Sequence, residues 1–184
     1  MNSQLNQNQI PSTSAVFGKN KILELIEEGS ITITPYSPEL IGPASVDLKL
    51  GNEFRYFNMQ PSTIDLNSDV NYKDYTEKIH VADGEPFEIP PKTLVLGITK
   101  EKISLSPEIC GLLEGRSRFA RMGLFVHVTA GFMAPGIENH QVLEIFNASP
   151  TTVRVYPGTP ICQFIFMSCE GADKYRGSWA NQEL

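Results

Sequence analysis

The sequence predicts an all-β domain, a sandwich or barrel of short strands preceded by one short helix. Three observations carry that expectation. β-branched and aromatic residues recur in short runs, the first at 31–34 and the last at 161–166, and such residues suit a half-buried pleated surface. The runs are punctuated by Asn, Asp, 13 prolines and 14 glycines, which sit badly inside regular elements. No helical pattern alternates with the runs, so βαβ units are not expected, nor a Rossmann or P-loop nucleotide site.

In order along the chain, residues 19–28, KNKILELIEE, set Ile22, Leu25 and Ile26 at helical spacing, and Gly29 supplies a stop. Strands are expected at 31–34, 46–50, 54–57, 93–99, 124–128, 142–146, 153–156 and 161–166. The stretch 60–83, carrying Asn67, Ser68, Asp69, Asn71, Lys73 and Asp74, is polar and reads as a surface excursion between strands. The opening MNSQLNQNQIPSTSA is rich in Asn, Gln and Ser without arginine, which argues for a flexible arm and against a mitochondrial presequence. The expected division is an arm over 1–17, a β domain over 18–168 and a tail over 169–184.

A chain of 184 residues is long enough for one domain with its own core, and 41% hydrophobic with 20% charged residues is an ordinary globular balance. The net charge of −6 gives no overall attraction to nucleic acid or to an anionic membrane, so a polyanionic ligand needs a local basic pocket. Cys110, Cys162 and Cys169 are an odd count without CxxC spacing, which points to free thiols rather than a disulfide framework or a zinc site. Without an apolar run of membrane-spanning length or a secretory signal, a cytoplasmic protein is expected.

Chemistry concentrates between Gly115 and Asn147, GRSRFARMGLFVHVTAGFMAPGIENHQVLEIFN. Arg116, Arg118 and Arg121 surround Ser117, and guanidinium forks with a hydroxyl are groups that grip phosphate oxygens. The competing reading is a solvated turn; the bracketing Gly115 and Gly123 let backbone approach a ligand and tilt the balance toward binding. His127 lies in a strand leading into a Gly/Pro turn, where a histidine is more often structural than catalytic. On a strand, Glu144 shares a face with Val142 and Phe146, opposite Leu143 and Ile145. That pattern predicts a carboxylate inserted into apolar company and able to give and take a proton, against an exposed edge-strand glutamate as the alternative. The HxE and PCxxC elements of zinc deaminases are absent from the sequence, so hydrolysis of an amino group here would activate water with protein groups alone.

From about Lys19 to the C-terminus the chain resembles the dCTP deaminases of the trimeric dUTPase-like superfamily. The likeness runs through ITPYSPELIGPASVDLKLGNEF, with Pro43, Ala44, Ser45, Asp47, Leu48, Leu50 and Gly51, then LSPEICGLLEGRSRFARMGLFVHVTAG, PGIENHQVLEIFN and VYPGTPICQFIF. The resemblance implies a dUTPase-like, jelly-roll-like β fold assembling as a homotrimer with active sites between subunits, and magnesium carried on the nucleotide triphosphate. It implies that Glu144 shuttles the proton, that Ser117 and Arg121 position reactant and phosphates, and that Thr129 and Ala130 orient the water. Arg116, Arg118 and Val142 complete the implied nucleotide site, and Lys174 with Tyr175, in KYRG, resemble a tail motif that closes over the phosphates.

The chain also departs from the family. Arg118 stands where a second serine is usual, Ala134 where an aspartate contacts the deoxyribose, Phe132 where arginine or tryptophan is common, and Ser178 where a tail glutamine is common. The segment between Phe166 and Lys174 is short and lacks the usual tyrosine. The alanine predicts weaker selection of the sugar. The expected function is metal-independent hydrolysis of dCTP to dUTP and ammonia, in pyrimidine deoxynucleotide metabolism. The alternatives are a dUTPase or bifunctional dCTP-to-dUMP enzyme, against which the missing aspartate counts, and a nucleotide-binding regulatory protein.

Overall fold

Strand pairing dominates the chain once the N-terminal helix is past. The structure, a computed structural model, describes residues 16–58, 63–171, 173–177 and 183–184. Positions 1–15 of the expected arm, 59–62 near the polar excursion and Ser178 lie outside the described residues. The helix α1 (Lys19–Glu27) buries Ile22 and Leu25, and Gly29, at φ +79°, ends it. Just before it, Val16 is bridged to Met167 and Phe17 N–H donates to Phe166 O, so the end of the expected arm is tied to the last strand.

The strands that follow are β1 (Ile31–Thr34), β2 (Val46–Phe57), β3 (Thr76–His80), β4 (Phe87–Ile89), β5 (Leu94–Leu105), β6 (Ile109–Gly115), β7 (Leu124–Val126), β8 (Phe132–Met133), β9 (Glu138–Asn147), β10 (Val153–Val155) and β11 (Pro160–Ser168), with a single helical turn, α2 (Ser117–Ala120), after β6. Among the described residues one antiparallel sheet runs β7-β9-β5-β2-β11-β6-β8, with β1 added to β5 and β3 to β2, while β4 and β10 form a separate ribbon. The expected all-β class with a short N-terminal helix is the one the chain adopts.

The sheet curls because β2 changes partners along its length. Its residues 46–49 pair with β11, whereas 53–57 pair with β3. The two expected runs at 46–50 and 54–57 are therefore one strand, with a register shift between Leu50 and Phe54 against β5. Gly51 and Asn52 look like a turn in sequence, yet Gly51 lies so close to β5 that a Cβ there would meet Ile98 O at 3.0 Å. Strand β5 likewise continues past Thr99 to Leu105 through its own shift against β9. The core fills the curl with Phe54, Phe164, Phe166, Leu48, Leu50, Ile103, Leu143 and Ile145, each almost fully buried. Phe54 stacks on Phe87 at 4.3 Å between ring centroids, and buried Asn147 donates from Nδ2 to Ile89 O and Thr151 O, each at 2.8 Å, so the ribbon is fastened to the sheet.

Strands β3, β4, β6 and β8 were not expected. β3 interrupts the supposed excursion; its residues after Thr76 are exposed, and β2 supplies its pairing partner. β4 and β8, of three and two residues, carry too little pattern to be read locally. No helix among the described residues is long and apolar enough to cross a membrane, and the three cysteines are free thiols.

Candidate active site

Glu144 sits on β9 opposite Leu96 of β5, one residue before Ile145, which pairs with Val126 of β7. The apolar insertion expected for it is not what the strand builds. Asn139, Gln141, Leu143, Ile145 and Asn147 take the buried face, and strict alternation then leaves Val142, Glu144 and Phe146 half-exposed on the other. The carboxylate is held by hydrogen-bond donors instead. Its Oε2 accepts from Val128 N at 3.1 Å, Thr129 N at 3.0 Å and Thr129 Oγ1 at 3.4 Å.

The loop that brings these donors is clipped at several points. His127 N–H donates to Glu144 O at 2.8 Å, its Nε2 faces Ala130 O at 2.8 Å, and Gly131 O accepts from Leu113 N at 2.8 Å. Since a carbonyl can only accept, the Nε2 carries the hydrogen, and the buried Nδ1 has no partner among the described residues. His127 holds φ at +65°, a left-handed conformation uncommon for a residue with a Cβ. The structure thus makes His127 the residue that shapes the loop, while Thr129 and Ala130 stand exposed beside Glu144.

The arginine segment divides into two parts. Ser117, Arg118 and Arg121 are exposed on or next to α2, and neither Arg118 nor Arg121 makes an ion pair among the described residues. Arg116 is half-buried, its Nη2 3.0 Å from Asp47 Oδ2 and its Nη1 donating to Pro160 O at 3.1 Å. Gly115 packs on β7, where a Cβ would meet Val126 O at 3.2 Å, so α2 starts beside the strand that leads to His127. Within the single chain no hydrogen bond among the described residues joins Glu144 to Ser117, Arg118 or Arg121.

The tail lies against the turn at Pro135 and Gly136. Tyr175 N–H donates to Pro135 O at 3.0 Å and its ring packs against the core, while Lys174 covers buried Gly136, leaving no room for a Cβ there. Half-buried Ala134 lies next to this contact. Further on, Tyr72 donates to Glu183 O at 3.0 Å and Leu184 is buried.

Two carboxylates carry roles that the sequence did not reveal. Asp47 was visible as part of SVDLKLG, but its partner Arg116 is distant in sequence. Glu101 is 1% exposed, its Oε2 accepting from Lys49 N at 2.7 Å and its Oε1 without a partner among the described residues; burial raises its carboxyl above the ordinary value, against the lowering effect of the Lys49 hydrogen bond. Burial also pushes the Cys162 thiol up. Among the described residues no three His, Cys, Asp or Glu side chains cluster so as to hold a metal ion.

Comparison with known proteins places this arrangement. A "dCTP deaminase, dUMP-forming" from Salinispora tropica is 38% identical over 154 residues, covering 83% of this chain and 80% of its own. Proteins of the same description from Methanothermobacter thermautotrophicus and Persephonella marina are 41% and 37% identical, over 83% and 91% of this chain and 78% and 92% of their own. In three dimensions the chain resembles the crystal structure of 2'-deoxycytidine 5'-triphosphate deaminase from Agrobacterium tumefaciens, with a TM-score of 0.67 and 15% identity over 85% of this chain. It spans about half of that protein, 49%, so the likeness speaks to the fold. Residues 16–169 match the family described as dCTP deaminase-like, and this chain belongs to that family.

Proposed function

We propose that this chain hydrolyses dCTP, removing the 4-amino group and carrying the product on to dUMP. The observation that carries the reading is the Glu144 carboxylate, aimed by Val128 N and Thr129 N on a half-exposed strand face in a member of the dCTP deaminase-like family. Dephosphorylation to dUMP takes precedence over the dUTP release first expected from the sequence, because the relatives at 37–41% identity are named dUMP-forming.

In this mechanism a water beside Glu144 adds to C4 of cytosine as its proton passes to the carboxylate. The same carboxyl group then protonates the ring nitrogen, relays the new hydroxyl's proton to the amino group, and ammonia leaves as the C4–O bond becomes the carbonyl. Thr129 Oγ1 and the second lone pair of Ala130 O orient that water, and Val142, on the same face, borders the base. Ser117, Arg118 and Arg121 hold the phosphates through their exposed donors, and Lys174 and Tyr175 add to them from the tail. Magnesium carried on the triphosphate would offset its negative charge, with Ser117, Arg118 and Arg121 meeting the remaining phosphate oxygens. The second hydrolysis adds water at the α-phosphorus and releases pyrophosphate.

A homotrimer sharing sites between subunits belongs to the same proposal. Exposed Met122, Phe125, Val128 and Phe132 flank the site, and burying them against a neighbour would bring Ser117 and Arg121 of one subunit toward Glu144 of the next. Release of dUTP is the second reading, favoured by Ala134, which offers no carboxylate beside the turn at Pro135 and Gly136.

Incubation with dCTP and magnesium, resolving dUTP, dUMP, pyrophosphate and ammonia, tests both. Formation of dUMP, pyrophosphate and ammonia is expected, with deamination falling by roughly two to four orders of magnitude in Glu144→Ala. Accumulation of dUTP with ammonia selects the second reading, and binding of dCTP without any product removes both.

A further inference from the structure

Of the three arginines in GRSRFAR, Arg116 is the one engaged by other elements among the described residues. Its guanidinium spans two strands, with Asp47 Oδ2 of β2 at 3.0 Å and Pro160 O of β11 at 3.1 Å. Its backbone carbonyl accepts from Phe119 N and Ala120 N, the opening hydrogen bonds of α2. The residue whose side chain is tied to β2 and β11 is therefore also the residue from which the turn starts. Holding the guanidinium sets where and in what direction Ser117 leaves the sheet.

The energetics separate this role from a purely stabilising one. The two side chains retain only 31% and 24% of their exposure, so both charges are partly stripped of water. Burial raises the Asp47 carboxyl above its ordinary value, and the opposing attraction of Arg116 does not cancel it. In an ion pair of this kind desolvation offsets much of the Coulomb gain, and the return is direction rather than stability. A fork held by a carboxylate and a carbonyl has few other orientations open to it.

We propose that Asp47 is a positioning residue: with Pro160 O it holds the Arg116 guanidinium, and through it aims the Ser117–Ala120 turn, with the Ser117 hydroxyl and the Arg118 and Arg121 guanidinium groups, at the triphosphate of the nucleotide. The inference rests on the nucleotide reading above. It assigns Arg116 to the turn's framework, its guanidinium already paired with Asp47, and leaves direct phosphate contact to Ser117, Arg118 and Arg121.

The test uses the full chain in three measurements: calorimetric affinity for inorganic triphosphate with magnesium, KM and kcat for dCTP, and the thermal midpoint. Asp47→Ala is expected to weaken triphosphate binding and raise KM by about tenfold, with Tm within a few degrees of the parent and a smaller change in kcat. Asp47→Glu restores part of the affinity. Arg116→Lys, which loses the fork, gives a similar loss, and the Asp47→Ala/Arg116→Lys pair is no worse than either single change, because both break one contact. If Asp47→Ala does not fold, Asp47→Asn replaces it, with the same expected direction. Unchanged triphosphate affinity in either folded variant overturns the proposal, as do fully additive losses in the double variant. A parent protein that binds triphosphate but leaves dCTP intact removes the catalytic reading alone, and the affinity comparison still decides the role of Asp47. A parent that binds no triphosphate overturns the proposal for Asp47, and product formation from dCTP still decides the catalytic reading.

Discussion

A carboxylate on an outward strand position needs something other than burial to hold it, and at Glu144 the donors of Val128 and Thr129 do so. Glu101 is the opposite case, a carboxyl sealed inside the curl with one oxygen unpartnered among the described residues. Burial, the largest cause, raises its carboxyl above the ordinary glutamate value, so folding favours the protonated form more than the unfolded chain does. The stability it contributes is full below the ordinary glutamate range and is lost as pH rises through the raised folded value. Glu101→Gln keeps an acceptor for Lys49 N and carries no charge. Urea midpoints taken from about pH 4 to about pH 8 should therefore move in the variant's favour as pH rises, and a difference that stays flat with pH would refute this account. Neither carboxylate's setting was legible from its neighbours in sequence: alternation along QVLEIFN separates two faces without saying which one meets the core.

At the level of elements, close approach explains what composition hides. Strand β6 reads as ICGLLEG, a poor strand by propensity, but Gly111 lies under Phe164 of β11. A Cβ at Gly111 would fall 2.1 Å from Phe164 Cε1 and 2.6 Å from Ile165 O, and backbone cannot move aside cheaply. Gly111→Ala is expected to cost about 3 kcal/mol, lowering Tm by roughly 6–12 °C in a calorimetric scan. An unaltered Tm would mean that β6 does not pack this closely on β11. The same logic accounts for the unexpected extent of β2 and β5, whose bulges let one strand serve two partners. Where pattern was local and strong, as in α1 and β1, the expected and observed bounds agree to within a residue.

For the whole molecule the open matter is assembly, and the proposed shared site depends on it. Light scattering is expected to return three times the mass of the single chain; the single-chain mass would remove the subunit-shared site, leaving Glu144 and the arginine turn to work within one chain. The sequence by itself determined the all-β class, the N-terminal helix, the family and the cluster of candidate residues around Ser117 and Glu144, because strand composition, turn residues and ordered motifs are written locally. Tertiary structure alone decided which face of β9 is buried, which arginine is answered by Asp47, and where the tail rests on Pro135 and Gly136. Those outcomes depend on contacts between residues far apart in the chain, and a one-dimensional pattern holds neither the pairing of β2 with β11 nor the place where the sheet curls.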